Sequence, residues 1–237
     1  MKKVFEKNEM FISILLIVLY LVLNSFCLSN FGEYDYRTML VNGGLSLIII
    51  LFIIFNKLGS YFNLDKFPNP KKFLYFIPLI ILMSVNLWGG INTEHSFKEY
   101  LFYIGSMIFV GFLEEIIFRG FLFKMMAKDN LKSAIFVTTI TFGIGHIINL
   151  FNGADLIPTL IQICYATATG YLFAIIVVEG KSLWPCIITH SVVNALSCFV
   201  VRNLITIYVG PILLTVIPLA YVWFIKNRTY EGNKKTS

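Results

Sequence analysis

The sequence predicts an all-α, polytopic membrane helix bundle of about eight transmembrane helices, with both termini on the cytoplasmic side. Three observations predict it. Of 237 residues, 57% are hydrophobic and only 14% are charged, whereas a soluble domain is roughly a quarter charged. The apolar residues gather in blocks of about 20, the length that crosses a hydrocarbon core of ~30 Å. The basic residues sort by loop, as the positive-inside rule requires.

The apolar blocks run over about 10–30, 38–56, 72–91, 98–126, 133–150, 156–178, 182–201 and 204–225. The first follows Lys2, Lys3 and Lys7, as a signal peptide would. It is too long for one and lacks a small-x-small cleavage site, so a retained span is expected. Phe26 before Cys27 also argues against a lipoprotein signal. The fourth block is the longest, and its polar centre would defeat a simple hydropathy count. Connections are short, so residues 1–237 read as a single membrane domain without a soluble module, ending in a flexible polar tail over 227–237.

One set of loops and ends holds the lysines at 2, 3, 7, 57, 66, 71, 72, 124, 128, 132 and 181, with Lys226, Arg228, Lys234 and Lys235 of the tail. The opposite loops hold only Arg37, Lys98 and Arg202. An even number of spans puts both termini on one side, and the charges independently place that side in the cytoplasm. The expected location is the cell membrane, multi-pass. The net charge of +6 is no nucleic-acid footprint, because the basic residues do not share one patch. The cysteines, Cys27, Cys164, Cys186 and Cys198, form no Cys-x-x-Cys pair and read as buried structural thiols.

The fourth block carries Glu114, Glu115 and Arg119. Each such group costs roughly 2.5–3.5 kcal/mol at the centre of a membrane helix, so a functional site is the default reading. His146 lies in the fifth block, and His190 and Asn194 in the seventh; His95 is in an outside loop. His190 and Asn194 are four apart and share one helix face, and Glu115 and Arg119 have the same relation and can pair. Glu114 is turned about 100° from Glu115, so the two carboxylates can serve different sides of their helix. At ~1.5 Å per residue, Glu114 lies roughly 18 Å from the cytoplasmic end of its span, His146 about 20 Å, and His190 and Asn194 roughly 13 and 20 Å. Three spans thus contribute to one layer.

Gly111, Gly120, Gly143, Gly145 and Gly170 accompany this layer. They read as close helix packing, or, for Gly143 and Gly145, as room for water or a substrate backbone beside His146. A carboxylate and an imidazole can share a water, one as general base while the other orients it. A second imidazole and an amide can donate to the developing oxyanion of a peptide carbonyl. Alternatively, carboxylates and histidines could hold Zn²⁺ and activate its water. No serine or cysteine is placed as a nucleophile; Ser191 points about 100° away from His190.

Glu-Glu-x-x-x-Arg (114–119), Phe-x-x-x-His (142–146) and His-x-x-x-Asn (190–194), in that order on core spans, resemble the CAAX prenyl endopeptidase type II family, whose bacterial branch is the Abi or CPBP group of intramembrane proteases. The resemblance covers about Gly111 to Asn194, within a family core of about 100–203. It implies that Glu114 acts with His146 on water, that His190 and Asn194 form the oxyanion site, and that Glu115 with Arg119 holds the first motif in shape. Phe118 and Phe142 fit its apolar positions. The family is described both as metallo- and as glutamate-dependent proteases. That leaves either a zinc on Glu114, His146 and His190 or no cofactor, and Asn194 suits an oxyanion site better than a zinc neighbour.

The expected function is an intramembrane endopeptidase acting on a membrane-associated peptide or protein. Eukaryotic members of the family cleave prenylated CAAX tails. The Lys-, Ile-, Asn- and Phe-rich composition suggests an AT-rich bacterial genome, where a peptide precursor or another membrane protein is the expected partner. The alternative is a non-proteolytic bacteriocin-immunity or scaffold protein of the same family. An ion pathway is a third reading, and the lack of repeated halves argues against it.

Overall fold

The computed structural model describes residues 2–67 and 77–234. Among the described residues, nine helices carry the fold: α1 (Lys2–Lys7), α2 (Glu9–Phe31), α3 (Tyr36–Phe55), α4 (Ile77–Leu87), α5 (Phe97–Ala127), α6 (Leu131–Gly145), α7 (Leu156–Gly180), α8 (Trp184–Leu196) and α9 (Gly210–Lys234). Among the described residues there is no strand, only an isolated bridge between Ile91 and Val200. Helices satisfy their backbone groups internally, as a chain without water around it must. Their starts are set by polar caps. Ser96 and Glu99 form a capping box at α5, and the side chains of Asp35 and Asn130 accept backbone N–H groups at α3 and α6.

Among the described residues six helical stretches are long and apolar enough to cross a membrane. Of the other two expected spans, 182–201 holds a shorter apolar helix, Trp184–Phe199, and the described part of 72–91 includes the apolar helix Ile77–Leu87. The first part of that earlier span, 72–76, lies outside the described residues. After it the chain breaks at Gly89 and Gly90, where Gly90 takes a φ of +109°. The start of α8 is clamped by the 61–66 segment: Leu183 N–H donates to the Asn63 carbonyl, Trp184 Nε1 to Leu64, and Ser182 Oγ to Lys66. These contacts fix where α8 begins. Two further expectations need correction. The described part of the tail continues α9 to Lys234, and Cys164 is exposed while Cys27, Cys186 and Cys198 are buried.

The core lies around α5 and α7. Half of the spanning residues of each (50%) are buried, against 17% for α2. Glycines decide how closely helices approach. A Cβ on Gly111 would sit 2.6 Å from the Ser191 backbone nitrogen, so α5 and α8 touch backbone to backbone. Gly143 is covered by Thr167 of α7, and Gly43 by Phe109 of α5. Gly145 has open space beside it. Asn42 ties α3 to α5 and α2 through Ser106 Oγ (3.0 Å) and Asn24 Oδ1 (3.2 Å). At the end of the bundle carrying α1, Phe5 inserts among Phe52, Tyr61, Phe62 and Phe121.

Candidate active site

Glu114 and Glu115 are the last regular α-helical residues of α5 before a seven-residue π-helical segment, Ile116–Leu122, all of it buried. Such insertions recur at functional sites, and this one carries Arg119. Arg119 and Glu115 are both 0% exposed, and Nη1 of the arginine donates to Oε1 of the glutamate at 3.0 Å. The guanidinium lies 3.9 Å from the centre of the Phe142 ring and 5.7 Å from that of Phe173. Among the described residues its Nε and Nη2 have no hydrogen-bond partner, so Glu115 and the aromatic faces meet its charge. Gly170 permits this stack: a Cβ there would fall 2.9 Å from Nη2 and 3.0 Å from Phe142 Cδ1.

Both carboxylates reach His190, although their 100° offset suggested that they serve different sides of α5. The imidazole stands between them. Nδ1–H donates to Glu115 Oε1 at 2.8 Å, and Nε2 faces Glu114 Oε2 at 3.5 Å. The close approach at Gly111 brings α8 near enough for this. Glu115 Oε1 therefore accepts from both Arg119 and His190, and it fixes the imidazole's rotation.

His146 is the C-cap of α6, where the helix stops before a single turn over Ile148–Phe151. A continuous helix to 150 was expected; the break at Gly145 frees the ring. Nδ1 of His146 lies 3.1 Å from the Phe142 carbonyl. A carbonyl can only accept, so in the neutral imidazole Nε2 keeps its lone pair. Phe142 packs edge-on against both histidines, with centroids 5.4 Å from His146 and 5.7 Å from His190.

Two cavities meet at Phe142 and His146. The smaller, about 50 Å³, is lined by Glu114, His146, Tyr20, Asn24 and Asn149 among others. The larger, about 200 Å³, is lined by His190, Asn194, His146, Thr189, Gln162 and Asn86 among others. Glu114 and His146 thus line one cavity, and His146, His190 and Asn194 line the other, with His146 common to both. Ser191, by contrast, is buried, and its hydroxyl donates to the Ile108 carbonyl at 3.1 Å.

Glu114, Glu115, Arg119, His146, His190 and Asn194 fall within one contiguous stretch of chain. Residues 96–196 match the family model described as type II CAAX prenyl endopeptidase Rce1-like. No curated protein and no solved structure gives a match. The Rce1-like stretch begins at the Ser96 cap of α5 and ends at the last residue of α8, so it takes in all three motifs.

Tyr20, Asn24 and Asn86 line the site from outside the Rce1-like stretch, and none was singled out from sequence. Tyr20 of α2, only 2% exposed, donates a 2.6 Å hydrogen bond to Glu114 Oε1. A lone tyrosine among leucines and valines gives no local signal of this.

A zinc ion does not fit the residues in this geometry. Among the described residues no three His, Cys, Asp or Glu side chains form a metal-binding group. His190 is engaged by Glu115 at one nitrogen and faces Glu114 with the other.

Proposed function

We propose that the protein is an intramembrane endopeptidase that hydrolyses a peptide bond in a membrane-associated peptide or protein. The observation that carries this reading is the shared cavity edge. Glu114 and His146 line a space large enough for a water, and His190 and Asn194 line a second that shares His146 and Phe142 with it.

A space of about 50 Å³ exceeds the ~10–15 Å³ that one water needs, and its lining supplies several polar partners. In the proposed reaction Glu114 takes a proton from a water there, while the free Nε2 of His146 orients it. The water oxygen attacks the scissile carbonyl carbon. His190, protonated at both nitrogens with Nδ1–H on Glu115, and the Asn194 amide donate to the resulting oxyanion, the imidazolium through Nε2–H. Glu114 then returns the proton to the leaving nitrogen, the C–N bond breaks, and the carboxylic acid passes its proton to the amine, leaving a carboxylate and an ammonium group. His190 begins this cycle facing Glu114, so substrate entry replaces that contact with one to the oxyanion. Glu115 and Arg119 act as positioning residues, because they hold the imidazole without reaching the cavities' shared edge.

The test is reconstitution in vesicles with candidate membrane peptides and mapping of new termini by mass spectrometry, with and without a zinc chelator. The reading expects a defined cut within or next to the apolar segment. If no peptide is cut, and Glu114→Ala still supports a cellular phenotype that depends on the protein, the scaffold reading takes its place.

A further inference from the structure

A groove of about 510 Å³ lies between α6, α7 and α9, apart from the cavities just described. Ile135, Ala168 and Leu219 contribute apolar walls, and Lys132 and Lys226 stand at one end. Lys226 Nζ donates to the Tyr171 hydroxyl at 2.7 Å. Neither lysine forms an ion pair among the described residues. Two uncompensated cations therefore share the mouth of an apolar slot.

The dimensions suit one leaflet. Thr215, also on the lining, is eleven residues from Lys226, roughly 16 Å along the helix, about half of a ~30 Å hydrocarbon core. Both lysines belong to the side that the positive-inside rule assigns to the cytoplasm, where anionic lipids attract basic residues. We infer that this groove binds one anionic phospholipid of the inner leaflet, its phosphate between Lys132 and Lys226 and an acyl chain along the apolar wall.

The site is independent of the proposed proteolysis but backs onto it. Ala168 lines the groove while its neighbour Thr169 lines the larger cavity. A seated lipid thus packs against the reverse of that cavity's wall.

The experiment is native mass spectrometry of the full chain released from vesicles of equal phosphatidylglycerol and phosphatidylcholine, alongside Lys132→Gln/Lys226→Gln. Both lysines are exposed, so the variant keeps its core. Each lysine at an anionic surface contributes about fivefold, so one retained phosphatidylglycerol per chain is expected with a preference on the order of 30-fold. The double variant should fall to parity. Equal retention of both lipids by the wild type, or an undiminished preference in the variant, overturns the assignment.

Discussion

The Tyr20 hydroxyl donates a 2.6 Å hydrogen bond to Glu114 Oε1 across 94 residues of chain. It joins the first long helix, which the family match does not include, to the carboxylate proposed as general base. Removing a hydrogen bond to a charged group costs about 1.5–3 kcal/mol, so Tyr20→Phe is expected to slow cleavage roughly tenfold or more. The loss should appear in kcat with KM little changed, since the phenol touches the base and not the larger cavity. An unaltered kcat would show that α2 contributes only packing.

Glu115 accepts from both Arg119 and His190, and it is wholly buried. Glu115→Gln leaves Arg119 as an uncompensated buried charge, and breaking such pairs costs about 3–5 kcal/mol. Thermal unfolding of the full chain in detergent should therefore drop markedly. Replacing both partners, as Glu115→Leu/Arg119→Met, should recover much of that stability while leaving His190 unheld and cleavage weak. Recovery of both together would remove the positioning role.

The contact between α5 and α8 rests on Gly111, whose added Cβ would meet backbone atoms of Ser191 at 2.6 Å. Gly111→Leu forces the helices apart and withdraws His190 from both carboxylates. Overpacking of this kind costs about 1–3 kcal/mol, and the effect on cleavage should exceed the effect on melting temperature. Gly44→Ala, where nothing lies within 4 Å, is the matched control and should change neither.

Asp35, in the loop before α3, accepts from the Arg37 backbone and forms an ion pair with its guanidinium at 2.8 Å. Hydrogen bonds from the Arg37 side chain, then from its backbone, hold this carboxyl at about 2. Because that lies below the unfolded value of about 3.9, its stabilising contribution is complete above that value and is lost as pH falls through 2. Asp35→Ala should lower the melting temperature at pH 7, and the gap should narrow toward pH 2. A gap that stays constant would mean that the loop is held otherwise.

Much of the architecture was legible because membrane crossing is written locally. Apolar length gave the six long helices, and the expense of burying charge pointed to Glu114, Glu115 and Arg119. Helix periodicity placed Arg119 beside Glu115 and His190 near Asn194. It could not show both carboxylates converging on one imidazole, because that depends on a glycine-mediated contact between α5 and α8. The early end of α8 was not legible either, because the apolar run continues past Leu196 and hydropathy does not register where a helix stops. Tyr20 and the break after Gly145 likewise depend on packing between segments far apart in sequence.

The central claim is that Glu114 performs the chemistry. Glu114→Gln keeps the shape of the side chain and can still accept from Tyr20, so the fold should survive. The direct measurement is the cleavage rate of a reconstituted membrane-peptide substrate by this variant, with its melting temperature recorded in parallel. The account predicts a loss of about 10²–10⁴-fold, the range for removal of a general base, at near wild-type stability. A stable variant that cuts at the wild-type rate would contradict it.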